Sequence, residues 1–241
     1  MTYSNPFAAN ADRYARGRPY HHARTLRRAL AGVAVQRALD VACGTGLSTR
    51  GLAELGIVAA GVDVLPAMVA RARADTGLPY AVAAAEALPV ADAAVDLVTV
   101  ASGVHWFDQA RFAAEADRVL RPGGALLLYE HAGPTLPDEP AFRDWLRETY
   151  LDRFPSPPRG TMAAEFDGAG RFVPERTDRW PDEVAMTRPQ FVAYLLTQSN
   201  VADAPVEETR AWLDAELIRF LPDGERRPVR FGASYRLLRR A

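Results

Sequence analysis

The chain has 241 residues, of which 49% are hydrophobic and 24% charged, and its formal net charge is −1. This composition allows one substantial core, or a core with a small cap, and offers no basic track of the kind that binds nucleic acid. Cys43 is the single cysteine and lysine is absent, which excludes intramolecular disulfides, multi-cysteine zinc sites, Schiff-base chemistry and the lysine-dependent P-loop.

Apolar runs alternate with amphipathic stretches along the first half of the chain. The predicted strands cover 37–42, 57–63, 79–85, 95–102 and 125–130, and the predicted helices cover 47–55, 66–74 and 108–120. The segment RPGG at 121–124 reads as a turn between a helix and a strand. Such alternation is typical of right-handed βαβ units, whose parallel sheet is covered by helices on both faces.

The second half follows a different pattern, because proline and glycine cluster between 133 and 174. A helix is predicted at 139–153, an edge strand at 179–187, helices at 188–197 and 206–219, and a final strand at 226–240.

We therefore expect an α/β fold, a doubly wound and mostly parallel seven-stranded sheet with a helical cap. In that arrangement 1–131 would form the N-terminal helices and the ligand-binding core, 132–178 and 188–222 the cap insertions, and 179–187 and 226–241 the closing strands.

A glycine loop lies in the stretch LDVACGTGLSTRGLAE at 39–54, between a predicted strand and a predicted helix. Ligands of doubly wound sheets bind beyond the carboxyl ends of the strands, where this loop should lie. Gly44 and Gly46 allow a tight turn and a close approach of the backbone to a ligand. Asp63 ends the second strand, where it can accept hydrogen bonds from a ribose diol. These features fit an adenosine-containing ligand.

Two ligand classes share these features, dinucleotides and S-adenosylmethionine. The dinucleotide pattern G-x-G-x-x-G/A needs glycine or alanine at position 49, where this chain has Thr49. Asp40 would repel a pyrophosphate and attract the α-ammonium of a methionine moiety, directly or through water. The alternative role for Asp40 is to cap the loop. The charge favours S-adenosylmethionine.

Several segments resemble a known family. LDVACGTG resembles motif I of the class I S-adenosylmethionine-dependent methyltransferases, and GVDVLPAMVARA, AAAEALPVADAAVDLVTVASGVHWFD and DRVLRPGGALLLYE are similar to its further motifs. HWFD, YARGRP and YLLTQS resemble the type 11, small-molecule branch that contains trans-aconitate methyltransferase. The resemblance covers most of the chain. It implies a Rossmann-like core, S-adenosylmethionine as cofactor and S-adenosylhomocysteine as product.

The resemblance also implies roles for residues at the motif positions. Asp40, Gly44 and Gly46 would line the methionine part of the cofactor, and Asp63 would bind the ribose hydroxyls. The remaining implied cofactor-binding residues are Val64, Met68, Ala85, Glu86, Ser102 and Arg18.

Within this set, Met68, Ala85 and Glu86 would lie near the adenine, and Arg18 would face the cofactor carboxylate. Many relatives carry aspartate two positions before this glutamate, where this chain has Ala84. The hydrogen bond to the adenine amino group would then come from Glu86 or from the backbone.

His105 follows the fourth predicted strand, where an acceptor should meet the methyl group. It is a candidate for substrate contact and for general-base catalysis, and the alternative is a hydrogen bond to the backbone. Tyr14, near the reacting methyl, is the second catalytic candidate, and the substrate-binding candidates are Tyr20, Trp106 and His131.

His21 and His22 are adjacent, so their side chains should diverge, and no carboxylate spacing nearby completes a metal site. We expect no metal and a solvated start of a helix there. The polar N-terminus lacks a secretion signal, and no apolar stretch reaches the ~20 residues that cross a bilayer. We expect a cytoplasmic protein without membrane partners.

The expected function is methyl transfer from S-adenosylmethionine to a small molecule, with a carboxylate or phenolic hydroxyl as the acceptor. One alternative is a protein of the same fold that binds the cofactor but serves as a cyclase or regulator. A nicotinamide-dependent oxidoreductase is a further alternative, although no Tyr-x-x-x-Lys arrangement is present. A nucleic-acid methyltransferase is disfavoured, because no Asn-Pro-Pro-Tyr-like stretch follows the fourth predicted strand.

Overall fold

A computed structural model describes residues 10–157, 166 and 168–241. The chain divides into two compact units. The helical unit comprises Met1–Pro19, Ala132–Pro158 and Pro181–Gly232, and the core unit comprises Tyr20–His131, Arg159–Trp180 and Ala233–Ala241.

Seven strands form one sheet in the order β3-β2-β1-β4-β5-β7-β6. Their bounds are β1 Arg37–Val41, β2 Val58–Asp63, β3 Tyr80–Val82, β4 Val95–Ala101, β5 Leu120–Thr135, β6 Phe172–Met186 and β7 Arg227–Arg240. The first four strands lie wholly in the core unit, whereas β5, β6 and β7 contain residues of both units.

The sheet is mostly parallel. β1 pairs in parallel with β2 and β4, and the pairs β2–β3 and β4–β5 are parallel too. β7 runs the other way beside β5, because Thr135 bonds the Arg230 carbonyl near one end of the pair and Arg240 bonds the Leu120 carbonyl near the other. The structure confirms the predicted doubly wound α/β class, with one antiparallel strand near the sheet edge.

The described residues of the core unit form the α-helices α2 His22–Ala29, α3 Leu47–Glu54, α4 Pro66–Thr76 and α5 Gln109–Val119, with 3₁₀ turns at Val104–Trp106 and Gly168–Gly170. The helical unit contains α1 Ala11–Gly17, α6 Pro140–Trp145, a π-helical turn at Leu146–Tyr150, α7 Leu151–Arg153, α8 Arg188–Leu195, a 3₁₀ turn at Ser199–Val201 and α9 Val206–Leu217. Within the described chain, the helices are too short or too polar to cross a membrane.

Alternation along the strands gives the sheet two buried faces. Leu97 and Leu127 point to one face, where they pack with Leu26 of α2 and Leu52 of α3. Their chain neighbours point to the opposite face, which α5 covers with Phe112. Burial on both sides explains why β4 is a nearly continuous run of valine and leucine.

The helical unit has a core of its own, formed largely by aromatic rings. Phe142 packs against Trp145 and Phe220 with ring centroids 5.4 and 5.5 Å apart. The buried Arg188 begins α8 and is paired with Asp214 at 2.8 Å and with Asp223. Because both carboxylates are exposed on their other sides, the pairing neutralises this arginine at a moderate desolvation cost.

Two local predictions were wrong. RPGG is not a free turn, because β5 begins at Leu120 and the segment bulges within it: Val95 pairs with Leu120 but Leu97 pairs with Ala125. Residues 172–178, which we expected in a cap insertion, belong to β6. The helix predicted at 139–153 is confirmed, since helical residues run without a gap through α6, the π-helical turn at Leu146–Tyr150 and α7.

The Tyr80 side chain of β3 packs against Gly61 of β2, which is its partner in the parallel register. An added Cβ at Gly61 would lie 2.6 Å from the Tyr80 ring and 2.9 Å from the Cys43 Cβ. Both contacts are too short for real atoms, so the ring or the strand would have to move. We therefore expect Gly61→Ala to lower the free energy of unfolding by about 1–3 kcal/mol, measured by urea denaturation.

Gly133→Ala is the matched control, because an added Cβ there meets no atom of the described chain within 4 Å. Equal stability of the two variants would contradict the close packing of the Tyr80 ring against Gly61.

Candidate active site

The glycine loop between β1 and α3 has left-handed backbone at Gly44 (φ 54°) and Gly46 (φ 84°). A Cβ added at Gly46 would lie 2.5 Å from the Tyr80 hydroxyl oxygen. A Cβ added at Gly44 would meet no atom of the described chain within 4 Å. Packing thus requires glycine at 46. At 44, glycine is favoured by the left-handed backbone, and the lack of a side chain leaves open space beside the loop.

Asp40 lies beneath this loop and is 0% exposed. Its Oδ2 accepts hydrogen bonds from Ser48 (2.5 Å) and Thr49 (2.7 Å) in the first turn of α3. Its Oδ1 accepts one from Thr99 of β4 (2.9 Å). The carboxylate therefore anchors the helix that follows the loop, which is the alternative role considered for it above.

Burial raises the pKa of Asp40 to about 6, the three hydroxyls oppose the rise, and the nearby Asp63 adds to it. Below that pH the site beneath the loop is neutral, and above it the site carries a negative charge. Because the carboxylate has no exposed surface, its effect on a ligand in the loop is electrostatic or carried by an intervening group.

Asp63 ends β2 and touches the same loop. Its Oδ2 accepts a hydrogen bond from the Gly44 N–H and its Oδ1 one from the Leu65 N–H, both at 2.9 Å. It is 8% exposed, and burial raises its pKa against the lowering effect of these backbone donors. The Val64 N–H is a third backbone donor to this carboxylate, which has about four acceptor positions, so one position remains for a diol.

The residues predicted near the adenine differ in exposure. Val64 is 56% exposed and offers apolar surface next to Asp63. Met68 is 3% exposed and Ala85 is buried as well, so neither has much surface left for a ligand. Glu86 accepts a hydrogen bond from the Asp108 N–H at 2.8 Å, which ties the segment after β3 to the start of α5.

The end of β4 carries Ser102, predicted to bind the cofactor, and the candidates for the acceptor side. Ser102 is exposed, has φ 55°, and donates its N–H to the Tyr129 carbonyl of β5 at 2.8 Å. His105 and Trp106 follow in the 3₁₀ turn, with ring centroids 5.0 Å apart. Both are half-buried, so each retains surface toward solvent or a ligand.

His131 belongs to a cluster of imidazoles that the sequence reasoning missed. Its Nε2 lies 3.1 Å from the Thr25 hydroxyl, and its ring stacks on His21 at 4.4 Å. His22 Nδ1 lies 2.8 Å from the Tyr129 hydroxyl. Burial raises the pKa of Tyr129 far above its usual value, so a neutral phenol forms this hydrogen bond with the His22 imidazole.

The expectation of a solvated helix start at His21 was therefore wrong, because His21 is 4% exposed. Three of the four histidines lie in this cluster. The sequence contained one indication of this cluster: Tyr129 and His131 are two residues apart on one strand, so their side chains lie on the same face.

Tyr20 stacks with the Arg50 guanidinium, whose central carbon lies 3.8 Å from the ring centroid. This cation–π contact packs the residue before α2 against α3. Burial raises the pKa of the Tyr20 phenol, which is therefore neutral near pH 7. Its predicted contact with substrate stays a prediction.

Tyr14 and Arg18 lie in the helical unit. The Arg18 guanidinium carbon lies 4.6 Å from the Tyr14 ring centroid and 5.5 Å from that of Tyr194, and Arg18 donates to the Thr197 carbonyl at 3.3 Å. The segments YARGRP and YLLTQS thus lie in contact. The roles of Tyr14 and Arg18 toward a ligand stay predictions.

Comparison with known proteins supports the family. Residues 39–128 match the family model for a methyltransferase domain. An uncharacterised methyltransferase of Mycobacterium tuberculosis is 42% identical over 123 residues, which are 50% of this chain and 49% of the relative. A demethylmenaquinone methyltransferase of Mycobacterium sp. is 31% identical over 153 residues, 63% of this chain and 64% of the relative. The chain thus spans about half to two thirds of the length of these relatives.

The solved structures agree with the sequence matches. A protein of Anaeromyxobacter dehalogenans described as a type II methyltransferase superposes with a TM-score of 0.70 at 29% identity, over 92% of this chain and 96% of that one. The parallel sheet, the glycine loop after β1 and the carboxylate at the end of β2 are thus found in a chain whose relatives are methyltransferases. In sequence and fold, the chain is thus similar to methyltransferases, and residues 39–128 match a methyltransferase domain.

Proposed function

We propose that the protein transfers the methyl group of S-adenosylmethionine to a small-molecule acceptor. The observation that carries the proposal is the pair of carboxylates at the glycine loop, Asp40 beneath it and Asp63 bonded to the Gly44 N–H. Two negative groups disfavour a pyrophosphate and favour a ligand with a ribose diol and a positive charge. The family match is consistent with this donor.

Methyl transfer is an in-line displacement in which the bound cofactor supplies the electrophilic methyl group. The protein contributes position, which can be worth ~7 kcal/mol or more. Asp63 accepts hydrogen bonds from the ribose, and the open face of Gly44 lets the loop approach the methionine part. Asp40 provides negative charge beneath the loop, which favours the α-ammonium. Val64 provides exposed apolar surface beside the ribose site.

For the acceptor, we propose a carboxylate or phenolic hydroxyl of a metabolite, placed near His105 and Trp106. A carboxylate, with a pKa near ~4, is ionised at neutral pH and needs only to be positioned. A phenol, near ~10, gains from a base, and His105 is the imidazole that directly follows β4. One group of relatives is named for demethylmenaquinone, which is a small molecule.

The cofactor assignment is tested with two aspartates that both accept hydrogen bonds from backbone N–H groups, one at the carboxyl end of the strands and one at the amino end. Asp63, at the carboxyl end of β2, accepts from the Gly44 N–H of the glycine loop and from the Leu65 N–H. Asp96, at the amino end of β4, accepts from the Gln36 and Arg37 N–H groups where β1 begins. We expect Asp63→Asn to weaken binding of S-adenosylhomocysteine at least 10-fold, measured by calorimetry, because a ribose acceptor is lost.

Asp96→Asn should cost stability but leave cofactor affinity within about twofold of the parent, since its contacts lie at the amino end of the strands. Equal affinity losses in the two variants would mean that Asp63 acts on the fold alone. Product analysis with labelled cofactor then separates a transferase from a protein that only binds the cofactor, and binding of reduced nicotinamide dinucleotide alone would favour an oxidoreductase.

General-base catalysis by His105 predicts a result that depends on the acceptor. In His105→Gln, assayed with the cofactor at saturation at every pH, kcat/KM for phenolic acceptors should fall ~100-fold or more, and its rise with pH should flatten. Carboxylate acceptors, already ionised, should be affected much less and serve as the internal control. Unchanged turnover of phenols across pH would contradict this role for His105.

A further inference from the structure

Thr99 is a buried polar residue in the middle of β4, among valine and leucine. It lies in register with Asp40 of β1 in the parallel pair, so both side chains point to the same face. Its hydroxyl donates to Asp40 Oδ1 at 2.9 Å. Valine has nearly the same shape and would avoid the cost of burying a hydroxyl, so the hydroxyl itself needs an explanation.

Asp40 receives its hydrogen bonds from two directions. Ser48 and Thr49 approach Oδ2 from α3, and Thr99 alone approaches Oδ1 from the sheet. A carboxylate has about four acceptor positions, so three hydroxyl donors leave one, and it lies on the oxygen that Thr99 holds. Thr99 therefore fixes the orientation of the oxygen that can still act on a ligand.

The other titratable groups that act electrostatically with Asp40 are Asp63, Cys43, Tyr80 and Tyr129. Burial raises the pKa of the cysteine and of both tyrosines, so these groups are neutral between pH 5 and 8. Asp63, on β2, disfavours a second negative charge. The three hydroxyls are thus the groups that favour the ionised form of Asp40.

We propose that Thr99 is a positioning residue for cofactor binding, which keeps the Asp40 carboxylate ionised and aimed at the ammonium of S-adenosylmethionine. This inference rests on the proposed function. In this account, the Thr99 hydroxyl of β4 and the glycine loop together make the site favour an ammonium over a phosphate. Asp40 carries the negative charge. Thr99 and the two α3 hydroxyls lower the Asp40 pKa and so widen the pH range over which it is ionised.

The test compares Thr99→Val with Thr99→Ser in the full-length chain. The first measurement needs no cofactor: carboxyl NMR of Asp40 as a function of pH. Loss of one donor to the ionised form should raise the Asp40 pKa by about one unit in Thr99→Val, and serine should restore it. Thr209→Val, which removes a buried hydroxyl in the helical unit, controls for the substitution itself and should leave the Asp40 pKa unchanged.

The second measurement is the affinity for S-adenosylhomocysteine between pH 5 and 8. The ionised form attracts the ammonium, electrostatically or through an intervening group, so binding strengthens as pH rises through the Asp40 pKa. In Thr99→Val this rise should move to higher pH, with a loss of about 5- to 10-fold at pH 6 and a smaller loss at pH 8. A merely structural threonine would reduce affinity equally at every pH.

The two measurements separate failure of this inference from failure of the proposed function. An unchanged Asp40 pKa in Thr99→Val overturns the role of Thr99, whatever binds in the loop. A shifted pKa in a parent protein that does not bind S-adenosylhomocysteine overturns the proposed cofactor and, with it, the assigned ligand. If Thr99→Val does not fold, Thr99→Ala with the same pH series decides the question, because it lacks the hydroxyl and adds no bulk.

Discussion

A carboxylate buried in the middle of the sheet is the constraint on which the site depends. Asp40 can remain there only because hydroxyls of α3 and β4 bond both of its oxygens. The same bonds fix where α3 starts, and therefore where the glycine loop turns. An unsatisfied carboxylate at this depth would cost several kcal/mol. The polar residues of the loop are thus explained by one buried charge before any ligand is considered.

A second carboxylate completes the electrostatics from the next strand. Asp63 holds the Gly44 N–H, which in many phosphate-binding loops would be one of the donors offered to the ligand. With that donor occupied and two acidic groups close by, the loop is poorly suited to an anion. The same arrangement suits a diol and a cation, which agrees with the similarity of residues 39–128 to a methyltransferase domain.

The sheet and the loop were predictable because they rest on local patterns. β-branched runs, Gly44 and Gly46 and the acidic residues at strand ends placed β1, β2, β4 and the loop within one or two residues. Contacts that depend on register or on distant segments were missed. Thr99 lies 59 residues from Asp40, and His131 lies about 106 residues from Thr25. No periodicity in the sequence predicts such contacts. His21 was predicted to be solvated from its neighbours in sequence alone, and it is buried because of contacts with a distant strand.

The measurement that tests the account most directly is a calorimetric titration of the unmodified protein with S-adenosylmethionine, S-adenosylhomocysteine and reduced nicotinamide dinucleotide. A loop governed by two carboxylates should bind the first two with micromolar affinity and bind the dinucleotide far more weakly. It should also bind S-adenosylhomocysteine more tightly at pH 8 than at pH 5. Tight binding of the dinucleotide without binding of the other two would contradict the account.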